Sequence, residues 1–276
     1  MPTDGGNFIL SSEEADSLVA SDLVPQKFIR PFLGASEVMN GRMRHCIWIE
    51  EDTLNEALLH KKLKARIELV RQTRLNSDSP TTRITKVPPH RFMQIEGNAE
   101  KFTIAVPAIT SVNREYLPAT LLDGTVILSN KCYALYDAPL WNLALAASKL
   151  HQVWVGTVCA RMRSDFSYSN TLGWNTFPIP VLTEQNKEDL NACAEAILLA
   201  REAHFPATMA DLYEVKDGES QMPENLRMAH ERNDEVIERI YIGRRFKNDT
   251  ERLEKLFEMY TKMTADTGVK KKGKKA

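Results

Sequence analysis

The sequence predicts an α+β protein: a mixed, mainly antiparallel sheet with packed helices, followed by a small all-α C-terminal domain. Three observations carry that expectation. From SDSPTTR onward, short β-branched or aromatic runs (RFMQI, KFTIAV, TVILSN, CYALY) alternate with Pro, Gly, Asn and Asp turn signals, the texture of an antiparallel sheet. The stretch beginning at Pro139 is apolar almost all round, as a helix buried in a core is. Beyond FPIP the apolar residues repeat only at helical spacing.

Taken in chain order, Ser11-Ser12-Glu13-Glu14 is a capping box opening a short helix that includes Leu18 and Val19. KFIRPFLG reads as a turn-rich approach and HCIWIE as a strand. Thr53 and Glu56 form a second capping box, predicting one long helix to about Asn76. Lys61, Lys62, Lys64, Arg66, Arg71 and Arg74 stud that helix, which reads as a solvated amphipathic face. The helix from Pro139 has Pro in its first turn and is expected to end near Met162. Leu190, Cys193, Ala194, Ile197 and Leu198 then mark one helical stripe; Leu253, Leu256, Phe257, Tyr260 and Met263 mark another, behind a capping box of Asn248 and Glu251. FPIP and Thr183 set the expected division: a domain over 1–182, a helical domain over 183–265, and a disordered basic tail over 266–276.

At 276 residues, with 43% hydrophobic and 26% charged residues, the composition is that of a globular protein with an ample core. Polar residues interrupt the apolar stretch after Pro139 before it reaches the roughly 18–20 residues a membrane span needs, so no membrane contact is expected. Cys46, Cys132, Cys159 and Cys193 are scattered without a CxxC, and MPTDGGNFIL lacks an export signal; both point to the cytoplasm. The net charge of −1 conceals an asymmetry. Residues 53–183 carry 15 Lys/Arg against 9 Asp/Glu, whereas residues 184–260 carry 11 against 18. A basic segment joined to an acidic helical one is compatible with nucleic-acid binding despite the overall balance.

No phosphate loop, dinucleotide fingerprint, nucleophile elbow or zinc-protease motif occurs. Asp211, Glu214 and Lys216 imitate the spacing of metal-dependent nucleases, but in an acidic, helical context where such acids would not meet on adjacent strands. The stretch CARMRSDFSYSNTLGWNTFPIP concentrates the interpretable chemistry. Arginine pairs bidentately with guanine O6/N7 in a major groove, and aspartate accepts from cytosine N4. Arg163 and Asp165, two apart on an extended segment, would face one side and suit the two halves of one base pair. The competing reading is a local surface ion pair of little consequence. Phe166, Tyr168 and Trp174 either stack on bases or, the favoured reading, pack the loop onto the core.

DGGNFIL, FIRPFLGASEVMNG, RHCIWIE, VPAITSVNREYLP, TVILSN, CARMRSDFSYS and NTFPIP occur in that order. Together they resemble the C-terminal portion of MmeI-like (type IIL) restriction–modification enzymes and related class I SAM-dependent DNA methyltransferases, from about Asp4 to about Tyr260. The resemblance implies a target-recognition domain followed by a helical domain. The family's SAM-binding and NPPY-type motifs lie N-terminal to this portion, and neither occurs here. It therefore implies a sequence-specific reader of double-stranded DNA that is not catalytic alone. The reader would serve an adenine N6-methyltransferase domain in cis or on a partner chain, with SAM bound there and no cofactor in this chain. The resemblance implies base reading by Arg163 and Asp165, with guanine at the outermost base pair of the site beyond the methylated adenine. It assigns a second pair to Lys131 and Ser167, with Asn130 nearby as an adenine or cytosine-side contact. Arg114, Tyr116, Arg83, Lys86, Arg91 and Arg161 are cast as phosphate contacts that set register. The rival reading is a protein-interaction module with no DNA role, docking a partner through the acidic helices.

Overall fold

The computed structural model describes residues 3–94 and 97–272, the side chains of 266–272 excepted. The chain forms two compact units. One unit comprises 1–103 and 122–137; the other comprises 104–121 and everything from Ala138 onward. Antiparallel-dominated sheets, packed helices and a helical C-terminal region make the fold α+β.

In the first unit, Ser11 Oγ accepts the Glu14 N–H at 3.1 Å and opens the helix Ser12–Ala20, as the capping box predicts. A four-stranded sheet runs in the order Ile9–Leu10, His45–Ile47, Ile29–Leu33, Ile127–Leu128. Its first three strands are antiparallel; the last lies parallel to Ile29–Leu33, with Phe32 opposite Ile127. Phe8, Leu10, Phe28, Ile47, Leu63 and Val70 build the core between this sheet and the helix Lys61–Leu75.

The long helix expected from Thr53 is broken. Thr53 has helical backbone angles and its hydroxyl donates to the Glu50 carbonyl at 3.1 Å, so it does not cap. A short helix, Leu54–Ala57, ends there, and His60 in extended conformation restarts the chain as Lys61–Leu75. Arg74 does not belong to a solvated face. It is buried, and its guanidinium donates to the carbonyls of Val87 and Pro88 at 3.0 Å each and of Arg91 at 2.5 Å. One arginine thereby fixes a loop with no strand partners. RFMQI is irregular over its described residues, and Ile95 lies outside them.

In the second unit the single helix expected from Pro139 is two helices, Trp141–Ala146 and Lys149–Val158. Ser148 turns extended between them and caps the second by accepting the His151 N–H at 3.1 Å. The residues expected to close that helix, Ala160–Met162, are instead a strand. The acidic region contains the helices Glu184–Glu202, Met209–Leu212, Glu224–Ile242 and Asp249–Lys272. It is not purely helical: Val215–Lys216 pairs with Glu219–Ser220 as a short antiparallel ribbon. Asn248 accepts the Glu251 N–H at 2.9 Å and caps the last helix, which extends into the segment expected to be a tail. Residues 273–276 lie outside the described ones.

A buried polar cluster crosses this unit's helical core. Arg201 donates to the Tyr213 hydroxyl oxygen at 2.9 and 2.5 Å and to the Ala119 carbonyl at 2.8 Å. His230 Nδ1 faces the Ala147 carbonyl at 3.2 Å, so Nδ1 carries the proton and Nε2 accepts from Tyr213 at 2.6 Å. Asp234 accepts from the Tyr116 hydroxyl at 2.9 Å and from the Lys149 N–H at 2.8 Å. Such groups are tolerated in a core because their hydrogen-bonding capacity is met there.

Candidate nucleic-acid interface

Cys159 leaves the helix Lys149–Val158 in extended conformation, and Ala160–Met162 pairs with Asp165–Ser167. Met162 lies opposite Asp165, leaving Arg163–Ser164 as a two-residue turn. Arg163 sits in that turn at φ +58°, a region unfavourable for a side chain with a Cβ. On its other edge Asp165–Ser167 pairs with Ile109–Thr110 and ties the hairpin to the rest of its unit.

This corrects the geometry expected for Arg163 and Asp165. They do not alternate along one strand, because the turn intervenes. Strand alternation instead places Asp165 with Ser167, on the face opposite Phe166. Phe166 points inward, 8% exposed, and Tyr168 is 3% exposed with its ring edge-on to His151. Trp174 is half-buried, 5.4 Å from the His151 ring. All three aromatics pack the loop, as the favoured reading had it. Gly156 permits this seat: a Cβ there would approach the Phe166 ring at 3.1 Å.

Arg163 is exposed, and its side chain has neither a hydrogen bond nor an ion pair among the described residues. No ion pair joins it to Asp165, so the local-pair reading fails. Arg161, on the adjoining strand, is exposed with its guanidinium 5.2 Å above the Phe166 ring. Arg114 lies half-buried beside the same hairpin, donating to Thr110 Oγ1 at 3.3 Å, with its Nε buried and unpartnered. Burial lowers its pKa, and the charge of Asp165 opposes that shift. Arg161, Arg163, Asp165 and Ser167 thus share one hairpin, with Arg114 beside it.

Asn130 and Lys131 belong to the other unit. They sit exposed in a turn after the parallel strand, closed by the Cys132 N–H on the Ser129 carbonyl at 3.1 Å. Ser129 seats against Gly34, where a Cβ would lie 2.7 Å from the serine Oγ. The Lys131 side chain has no partner among the described residues. Arg83 ends the short helix Pro80–Arg83 and Lys86 lies in the loop after it, both exposed; Arg83 donates to the Ser77 carbonyl at 2.5 Å. Arg91 is half-buried, 6.0 Å above the Trp48 ring and 4.0 Å from Glu50.

Tyr116 does not fit the phosphate role expected of it. It is 6% exposed, its hydroxyl is committed to Asp234, and its ring stacks on His230 at 4.1 Å. Sequence spacing places it beside Arg114 but does not reveal that the chain turns inward between them. Asp211 is likewise occupied: its carboxylate accepts from the Thr208 N–H and hydroxyl at 2.7 Å each, as a helix cap. Among the described residues no three His, Cys, Asp or Glu side chains gather as a metal site. Nor is any described helix long and apolar enough to cross a membrane.

Short turns and a hairpin presenting uncommitted polar side chains from a packed scaffold define the class of a recognition module. Residues 1–181 match the family described as the MmeI target recognition domain, and residues 182–267 the one described as the MmeI C-terminal domain. The chain belongs to the MmeI family and comprises these two domains. It is 34% identical over 266 residues to DNA methyltransferase A of Bacillus subtilis (strain 168), covering 96% of this chain and 29% of that protein. It also superimposes, with a TM-score of 0.86 and 30% identity, on the type IIL restriction–modification enzyme MmeI solved in complex with DNA. That match covers 96% of this chain and 35% of MmeI, so the chain spans about a third of the length of either relative.

Proposed function

We propose that the chain is a sequence-specific double-stranded DNA recognition module that positions an adenine N6-methyltransferase domain, in cis or on a partner chain. The observation that carries this reading is the uncommitted Arg163 at the hairpin tip, beside the Asp165–Ser167 face, in a chain of the MmeI family. Arg163 contacts guanine O6/N7, and Asp165 accepts from N4 of the paired cytosine, setting a guanine at the outermost base pair beyond the methylated adenine. Lys131, with Asn130 next to it in the chain, and Ser167 are further base readers. Arg83, Lys86, Arg91, Arg114 and Arg161 contact phosphates and set register. SAM binds the methyltransferase domain, whose target base must leave the stack to react. The free cysteines suit a reducing cytoplasm.

The test is a random-sequence duplex selection with the chain and with Arg163→Ala and Asp165→Ala. Each variant is expected to relax preference at one base pair by about 1–3 kcal/mol. A double variant that selects the unaltered motif would sink the assignment. Absence of salt-dependent retention on duplex DNA would favour the protein-interaction reading.

A further inference from the structure

We infer that Gln94 is a further base-reading residue, selecting an adenine through its side-chain amide while Asn130 holds that amide in its reading orientation. The inference rests on the DNA-recognition reading above. No motif marks Gln94; only the tertiary structure singles it out.

The backbone leading to Gln94 is held at two points. Arg74 donates to the carbonyls of Val87, Pro88 and Arg91, as described above. Phe92 then stacks on Phe32 at 5.7 Å and 7°, lies 6.2 Å from Trp48, and meets Phe8 edge-on at 5.6 Å. Two residues later Gln94 emerges exposed, and its Oε1 accepts from Asn130 Nδ2 at 2.9 Å. The Asn130 turn is itself docked, since the Ser129 N–H donates to the Leu33 carbonyl at 2.8 Å. Gln94, Asn130, Lys131 and Arg44 lie on the lining of one cavity of about 460 Å³ within the first unit. Arg44 is paired with Glu37 at 3.0 Å and Asp4 shares the lining, so among the described residues Lys131 is the cation left available to a polyanion at this opening.

An amide has two N–H donors and two acceptor lone pairs. With one lone pair engaged by Asn130, Gln94 keeps both donors and one acceptor, none of them partnered among the described residues. If both amides are turned over, Gln94 still keeps a donor and an acceptor. Adenine presents N7, which accepts, beside N6, which donates, and a glutamine amide matches both at once. Guanine presents two acceptors on that edge and satisfies only half of the amide. Holding the amide before the base arrives lowers the ordering cost of the contact. Asn130 is therefore a positioning residue acting through Gln94.

The experiment is a random-sequence duplex selection with the full chain, Gln94→Ala, Gln94→Glu and Asn130→Ala, each checked for an unchanged unfolding temperature. The unaltered chain is expected to select a motif with one adenine that Gln94→Ala relaxes about 5- to 150-fold, leaving other positions intact. Gln94→Glu, which can accept but not donate, is expected to move that position toward cytosine, whose N4 donates. Asn130→Ala is expected to broaden the same position by a smaller factor. A complete native motif from Gln94→Ala, or a loss spread evenly over all positions, overturns this inference alone. Failure of the unaltered chain to select any motif overturns both it and the reading it rests on.

Discussion

The hairpin Ala160–Ser167 and the cluster of Tyr116, Arg201, Tyr213, His230 and Asp234 belong to the same compact unit and draw on similar residue types. In the cluster, Arg201 spends its donors on Tyr213 and Ala119, and Tyr213 passes the contact on to His230. At the hairpin tip, Arg163 is exposed with no partner. An arginine whose hydrogen bonds are satisfied internally holds the fold together. One left unsatisfied on a rigid turn is available to a ligand, and its charge alone does not distinguish the two.

The largest expected effect comes from emptying the cluster. Arg201→Ala leaves the Ala119 carbonyl and the Tyr213 oxygen buried without donors, and should cost about 3 kcal/mol of stability in urea unfolding. An unchanged midpoint would break the comparison at its structural end.

Proton linkage sharpens the same point. Complete burial holds His151 down at about 4, so the unfolded chain takes up a proton near 6.5 that the folded chain refuses. That contribution to stability is full above pH 6.5 and is lost as the pH falls to about 4; His230, lowered by burial and by the charge of Arg201, acts with the same sign. Asp234 works in the opposite sense. Burial raises it from 3.8 to about 6, so its contribution is full below pH 3.8 and is lost as the pH rises to about 6. Asp234→Asn removes this counterweight. On acidification from pH 6 to 4 the variant should lose about 2 kcal/mol more than the native chain, read from urea midpoints at both pH values. Equal losses would show that Asp234 is not the opposing group.

At the other end of the comparison, Arg163→Ala should leave stability within about 0.5 kcal/mol, because nothing in the fold depends on its side chain. Its effect should fall on base preference, and a large drop in unfolding temperature would remove it from the reading set. The smallest effect is expected of Lys86→Ala. As an exposed phosphate contact it should weaken all duplexes alike and lower the salt slope by about one, measured by binding across a salt series. A sequence-selective loss would make Lys86 a reader instead.

Local signals were legible where short-range chemistry decides them. Ser11 and Asn248 cap their helices as their spacing predicts, because a cap is a contact over three residues. The stripe through Leu190, Cys193, Ala194 and Ile197 is buried on one helix face for the same reason. Spacing misled where a tertiary contact overrode it. Thr53 turns its hydroxyl to Glu50, Ser148 divides an apolar stretch that reads as continuous, and Arg163 falls in a turn. In each case the backbone follows partners or packing that the local pattern does not encode.

By itself, then, the sequence determined the α+β class, the main caps and buried stripes, and the segment that carries Arg163 and Asp165. Those features depend on periodicity and on neighbours a few residues apart. Only the tertiary structure decided that Tyr116 and Arg74 are interior, that Asp165 shares its strand face with Ser167, and that Gln94 meets Asn130. Gln94 and Asn130 lie 36 residues apart, and Tyr116 and Asp234 lie 118 apart. Which polar groups end up satisfied, and which remain free for a ligand, is settled by contacts at that range.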